Sequence, residues 1–125
     1  MPSRPAYPDL GHVGELRPVH AHGATCYVLP LRGDLDMSSA ALLESALQRS
    51  VEPWSTLVLD LGAVGLLDSS ALGVLIRAFK RMRAAGGRLE LASAGASVLT
   101  VLRLTNTLTL LGGDRPLDAV LVEAT

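Results

Sequence analysis

The apolar positions of the chain follow two periods. Thr56-Leu57-Val58-Leu59 is an unbroken extended-favouring run closed by Asp60 and Gly62, which predicts a strand over residues 55–61 buried on both faces. Leu72, Leu75, Ile76, Phe79 and Met82 instead recur every three or four positions, the spacing of one helical face. That helix begins at Asp68-Ser69-Ser70 and ends near Ala85, before Gly86-Gly87. A second helix starts at Asp36-Met37-Ser38-Ser39, with Asp36, Ser38 or Ser39 as its cap, and runs to about Ser50. Leu43, Ala46, Leu47 and Val51 give it a buried face, and Pro53 stops it.

The remaining elements follow the same logic. Residues 24–31 read as a strand, with Pro30 implying an edge or a bulge and Gly33 ending it. Residues 13–19 predict a weaker first strand interrupted by Pro18. Residues 88–92 predict a strand and 96–104 a third helix, with Asn106 in a left-handed cap. Residues 108–111 predict a short last strand, and 115–123 a final helix with Asp114 as cap and Pro116 near its first position. Strands thus alternate with helices after an initial hairpin. The pattern specifies an α/β fold: one domain, a mixed four- to five-stranded sheet, and about four helices packed on it. Residues 1–12, rich in Pro and polar side chains, are expected to be a flexible leader, with residues 13–125 the domain. No internal repeat stands out.

Composition narrows the function classes. The chain has 125 residues, 49% apolar and 18% charged, enough for a core without disulfides or metals. Aromatic residues are 3%, so Leu, Val, Ala and Ile must build that core. The formal charge of −1 argues against nucleic acid as a partner. The single cysteine, Cys26, excludes an internal disulfide and a cysteine zinc site and reads as a buried strand residue. No apolar run approaches a membrane span. A cytoplasmic location is expected, and no cofactor is.

Catalytic readings fare poorly. A serine hydrolase needs a histidine beside Ser69 or Ser70, yet His12, His20 and His22 all lie near the N-terminus and no nucleophile elbow occurs. His20 and His22 lack a third metal ligand. Asp34 and Asp36 fall on one side of an extended segment and read as loop and cap. Gly86-Gly87 ends a helix, and no Lys follows Gly112-Gly113. Arg77, Lys80, Arg81 and Arg83 read as a solvated helix face, with partner docking as the second reading. Trp54 is expected to be a partly buried anchor.

Asp68-Ser69-Ser70 remains. Taken locally it is a helix cap. Unpaired N–H groups and the dipole at a helix start also favour negative charge there, so a phosphate on either hydroxyl is compatible with the fold.

The surrounding motifs resemble the STAS domain, and within it the anti-sigma factor antagonists. Val58-Leu59-Asp60-Leu61 is followed by Leu66-Leu67-Asp68-Ser69-Ser70-Ala71-Leu72-Gly73 and then by Arg83-Ala84-Ala85-Gly86-Gly87-Arg88-Leu89. Gly33-Asp34-Leu35-Asp36 precedes the first helix, and Leu102-Arg103-Leu104-Thr105-Asn106-Thr107-Leu108 matches the end of the third. Ala71 and Asn106 stand where the family has Gly. The resemblance spans residue 13 to the C-terminus and implies a non-enzymatic binding switch. It makes Ser70 the phosphorylation site and Gly33, Asp36, Asp68, Ser69, Ser70, Leu72 and Arg77 the partner-binding set. The unphosphorylated form is expected to bind an anti-sigma factor that is an ATP-dependent serine kinase, releasing a sigma factor. Phosphorylation ends the binding and a serine phosphatase restores it. Adding about −1.5 to −2 charges at Ser70 beside Asp36 and Asp68 is expected to repel an acidic partner. The alternative within the same fold is a docking subunit that is not phosphorylated, in an ABC-type lipid transport or stress-signalling complex.

Overall fold

The computed structural model describes residues 12–21 and 24–124. The expected leader apart from His12 lies outside them, as do His22 and Gly23. Among the described residues, four strands and five helices follow in the order β1 (Arg17–Ala21), β2 (Ala24–Leu35), α1 (Met37–Ser50), β3 (Thr56–Leu67), α2 (Ser69–Ala84), β4 (Arg88–Ala92), α3 (Ala96–Leu104), α4 (Leu108–Leu111) and α5 (Leu117–Ala124). The sheet order is β1-β2-β3-β4, with β1 antiparallel to β2 and the other pairs parallel.

Leu57, Val58 and Leu59 of β3 are all fully buried, as the continuous apolar run requires. Leu29, Leu31, Leu57, Leu59, Leu61, Leu89 and Leu91 join the buried faces of α1, α2 and α3 in one cluster. Each such leucine is worth about 1.5–3 kcal/mol when removed from water. The opposite face is smaller: Cys26, Val28, Val58 and Ala92 lie under Val120 of α5.

Both central strands run past the glycines expected to end them. Gly33 adopts φ +78°, a conformation glycine reaches without a Cβ penalty, and the β2–β3 register shifts between Gly33 and Asp34. An earlier shift lies between Pro30 and Arg32, so Pro30 marks a bulge in an inner strand. Its carbonyl accepts from Gly14 N at 2.8 Å. The missing proline N–H therefore faces residues 12–14, where pairing is a single bridge, Val13 to Leu31. The first strand is accordingly shorter and later than residues 13–19.

Three other expectations are corrected. Residues 108–111 form helix α4, not a strand. Asn106 (φ +58°) closes α3 in the left-handed conformation, and Thr107 N donates to Leu102 O at 2.9 Å. The chain then turns at once, with Leu111 N donating to Thr107 O at 2.8 Å; Leu111 packs into the core, and the backbone pairs with β4 through the Leu91–Gly112 bridge. Helix α5 starts later than residue 115, and its first amide, Leu117 N, donates to Ser93 Oγ at 2.8 Å rather than to Asp114. Trp54 is 64% exposed and anchors nothing.

Helix α2 ends in the same paired-bond turn as α3, with Gly86 N on Arg83 O and Gly87 N on Met82 O. A Cβ at Gly87 would sit 2.1 Å from Pro53 O and 2.5 Å from Ser55 O. Gly87→Ala is therefore expected to cost about 1–3 kcal/mol or more in urea unfolding. Gly95→Ala, with open space around it, should stay within about 0.5 kcal/mol of the parent. Equal losses would show that the backbone contact at Gly87 is not limiting.

Candidate functional site

Strands β2 and β3 end opposite each other, Asp34 against Leu66 and Leu35 against Leu67. The next residue of each, Asp36 and Asp68, is extended and caps the following helix. Two helix N-termini are thus brought side by side.

Asp68 serves both. Its Oδ1 accepts from Ala71 N at 3.0 Å, in its own helix. Its Oδ2 accepts from Met37 N at 3.1 Å, the first residue of α1. Its backbone N donates to Leu35 O at 3.0 Å, so the last ladder bond leads directly into the shared cap. Asp36 is satisfied locally. Its Oδ1 accepts from Ser38 N at 3.0 Å and from Ser38 Oγ at 2.6 Å. Asp36 N donates to Ser39 Oγ at 3.0 Å, and Ser39 is buried.

Ser69 is exposed and Ser70 half-buried, in the first turn of α2. Among the described residues neither hydroxyl is held by a hydrogen bond, in contrast to Ser38 and Ser39. The two segments share a pattern, Leu35-Asp36-Met37-Ser38 and Leu67-Asp68-Ser69-Ser70, that sequence reading passed over. Register alone puts them together.

The other expected residues separate. Gly33 is exposed and Asp34 stands beside it. A Cβ at Gly65 would lie 3.2 Å from Asp34 Oδ1, so a glycine there gives that carboxylate room. Leu72 is 4% exposed; its side chain belongs to the core, because position 72 falls on the apolar stripe of α2, and offers a partner almost nothing. Arg77 pairs with Glu44 through two bonds of 3.0 and 3.3 Å and ties α2 to α1. Arg81 reaches Leu47 O at 3.3 Å, and Arg83 lies over Phe79. Two apolar side chains went unnoticed in the sequence: Met37, 77% exposed, and Leu66, 45% exposed. Both flank the paired caps.

The ionisation pattern follows from these bonds. The Ser38 hydroxyl, then the Ser38 and Ser39 amides, hold the Asp36 carboxyl below its usual range. Arg77 does the same to Glu44. Burial pushes the Cys26 thiol up. Among the described residues no group of three or more His, Cys, Asp or Glu is placed to hold a metal. A groove of about 570 Å³ between α2, β4 and α4 includes Phe79, Leu89 and Arg115 in its lining but none of the expected site residues.

A family model described as the STAS domain matches residues 18–124. The chain belongs to the STAS family. Solved STAS-type structures share its fold. An anti-sigma factor antagonist from Mycobacterium paratuberculosis is 25% identical, with 87% of this chain and 93% of that one covered and a TM-score of 0.70. An anti-sigma-factor antagonist (STAS) domain protein from Planctomyces limnophilus is 21% identical, covering 88% and 97%, with a TM-score of 0.67. The Bacillus cell fate determinant SpoIIAA in its phosphorylated form is 16% identical, covering 84% and 96%, with a TM-score of 0.53. Among the described residues no helix of this STAS domain is long and apolar enough to cross a membrane.

Because Asp36 binds a proton less readily folded than unfolded, its contribution to stability is complete above the ordinary carboxylate range and is lost as pH falls through it. The deficit of Asp36→Asn against the parent in urea unfolding is therefore expected to be largest at pH 7 and to shrink towards pH 3. A deficit that stays constant over that range would show that the charge plays no part.

Proposed function

We propose that this STAS domain is an anti-sigma factor antagonist. Unphosphorylated, it binds an anti-sigma factor that is itself an ATP-dependent serine kinase, and a sigma factor is released. Transfer of a phosphoryl group to Ser70 ends the binding, and a serine phosphatase restores it. The observation that carries this reading is the hydroxyl of half-buried Ser70, unbonded among the described residues, at a helix start already shaped around two carboxylate caps. The antagonists of similar fold, and the phosphorylated form known for SpoIIAA, support it.

The chain's own part is that of acceptor and docking surface. Ser70 Oγ forms the new P–O bond while the bond between the γ-phosphorus and the β,γ-bridging oxygen of ATP breaks, leaving ADP. The hydroxyl proton passes to a base of the kinase. Gly33, Asp36, Asp68, Ser69 and Ser70 supply the contact surface. Leu72 acts from beneath by seating the helix. Arg77, about 10 Å further along α2 on the same face as Ser70, fixes α2 against α1 through Glu44. A phosphoserine adds about −1.5 to −2 charges to an end that already carries Asp34, Asp36 and Asp68. Docking would then bury an unpaired dianion, which outweighs what a contact surface of this kind gains.

Peptide-mapped mass spectrometry of the protein from its own cells, under growth and under stress, tests the switch. A phosphate on Ser70 whose amount changes with condition is the expected result. No phosphate under any condition, with a tight partner recovered, would favour the constitutive docking subunit. With the kinase in hand, Ser70→Ala should keep binding and abolish phosphorylation. Ser70→Asp should weaken binding roughly 100-fold, and undiminished affinity would overturn the electrostatic mechanism.

A further inference from the structure

We infer that Asp68 is a positioning residue for the docking surface: its carboxylate holds the α1 end of that surface, with Met37 as an apolar anchor, and a phosphate on Ser70 breaks that hold. The inference rests on the switch reading above and names how the change at Ser70 spreads.

The carboxylate is divided between two helices. Oδ1 serves Ala71 N and Oδ2 serves Met37 N, so any movement that leaves one donor also disturbs the other. Among the described residues Met37 N has no other partner, and its side chain stands 77% in solvent. A large apolar side chain so exposed, next in sequence to Asp36 at the same strand ends that carry the exposed Leu66 opposite Asp34, has the anatomy of a contact anchor rather than of a core residue. Its position depends on the first turn of α1. That turn has Asp36 for its second amide and only Asp68 for its first.

Ser70 lies two residues after Asp68 in the same first turn. A phosphate there seeks the same unpaired N–H groups that the carboxylate caps. It also places a second anion within one turn of Asp68. A singly charged carboxylate loses that competition to a group of nearly twice its charge. Once Asp68 turns away, Met37 N has no partner and the first turn of α1 frays. The anchor is then no longer presented in one place, and the effect reaches α1 without any contact between the phosphate and α1. Asp36, the cap of α1 held by its bonds with Ser38 and Ser39, keeps the rest of α1 in place, so the change is confined to its first turn.

Amide hydrogen exchange by NMR on the whole chain tests this without any partner. Three proteins are compared: the parent, a form with phosphoserine introduced at position 70 during synthesis, and Asp68→Ser. Serine still caps α2 but is too short to serve two helices. Exchange at Met37 N is expected to rise about 5- to 30-fold in both altered forms, the loss of one hydrogen bond, while amides in the middle of α2 stay protected. A phosphoserine form with Met37 exchange equal to the parent's, alongside an elevated Asp68→Ser, would overturn the coupling. An Asp68→Ser with no elevation would overturn the hold itself. Because the phosphate is installed synthetically, these outcomes are separate from whether cells ever modify Ser70, which the mass spectrometry above decides.

Discussion

Two parallel strands of twelve residues that finish opposite each other, at Leu35 and Leu67, leave two helix starts nowhere to go but side by side. Each start brings about four backbone N–H groups without helical partners, and the two dipoles point the same way. An apolar or basic end would leave those donors unmet. The chain meets them with the carboxylates of Asp36 and Asp68 and the hydroxyl of Ser39, while the Ser38 hydroxyl donates to Asp36. Once those partners are assigned, Ser69 and Ser70 are the polar side chains of the two first turns left over. The same constraint that stabilises the strand ends therefore leaves unbonded the hydroxyls on which the functional proposal depends.

Much of this was legible in the chain because its causes are local. A run such as Leu57-Val58-Leu59 can be buried only on both faces, and the three- and four-residue spacing through Leu72, Leu75 and Met82 fits only a helix. Asp36 and Asp68 were readable as caps, and Asn106 as a left-handed closure, because each acts on residues a few positions away. What escaped was set from a distance. The strands outlast Gly33 and Gly62 because register shifts absorb the irregularity, and a shift is a property of two strands together. Leu108-Thr109-Leu110-Leu111 suits strand or helix equally well until the turn after α3 is built. Ser93 serves an amide far along the chain, and the second bond of Asp68 crosses to another helix; neither leaves a mark in local sequence. Ser70 was singled out by family resemblance, not by spacing, since a cap and an acceptor look alike.

The two faces of the sheet are held unequally. One carries α1, α2, α3 and the short α4 over a continuous leucine layer. The other relies on the eight residues of α5, tied at its start by Ser93 and further on by Arg115 between Glu90 and Glu123. Ala71 sits on the stronger face, completely buried. The methyl group that distinguishes it from the family's glycine is thus packed inward, behind the two serines that precede it.

The distribution of charge along the helices has a consequence for encounter. Two helix starts supply together about one positive charge, which Asp34, Asp36 and Asp68 outweigh. The far ends of the same helices carry Arg49, Arg81 and Arg83 in their last turns. A molecule of formal charge −1 is therefore a dipole along its helices, and within a screening length of about 10 Å at 0.1 M salt a charged partner turns it before touching it. A phosphate at the serine end lengthens that dipole without reversing it. Approach would persist in both states of the switch, and the difference between them would lie in how long the complex lives rather than in how often it forms.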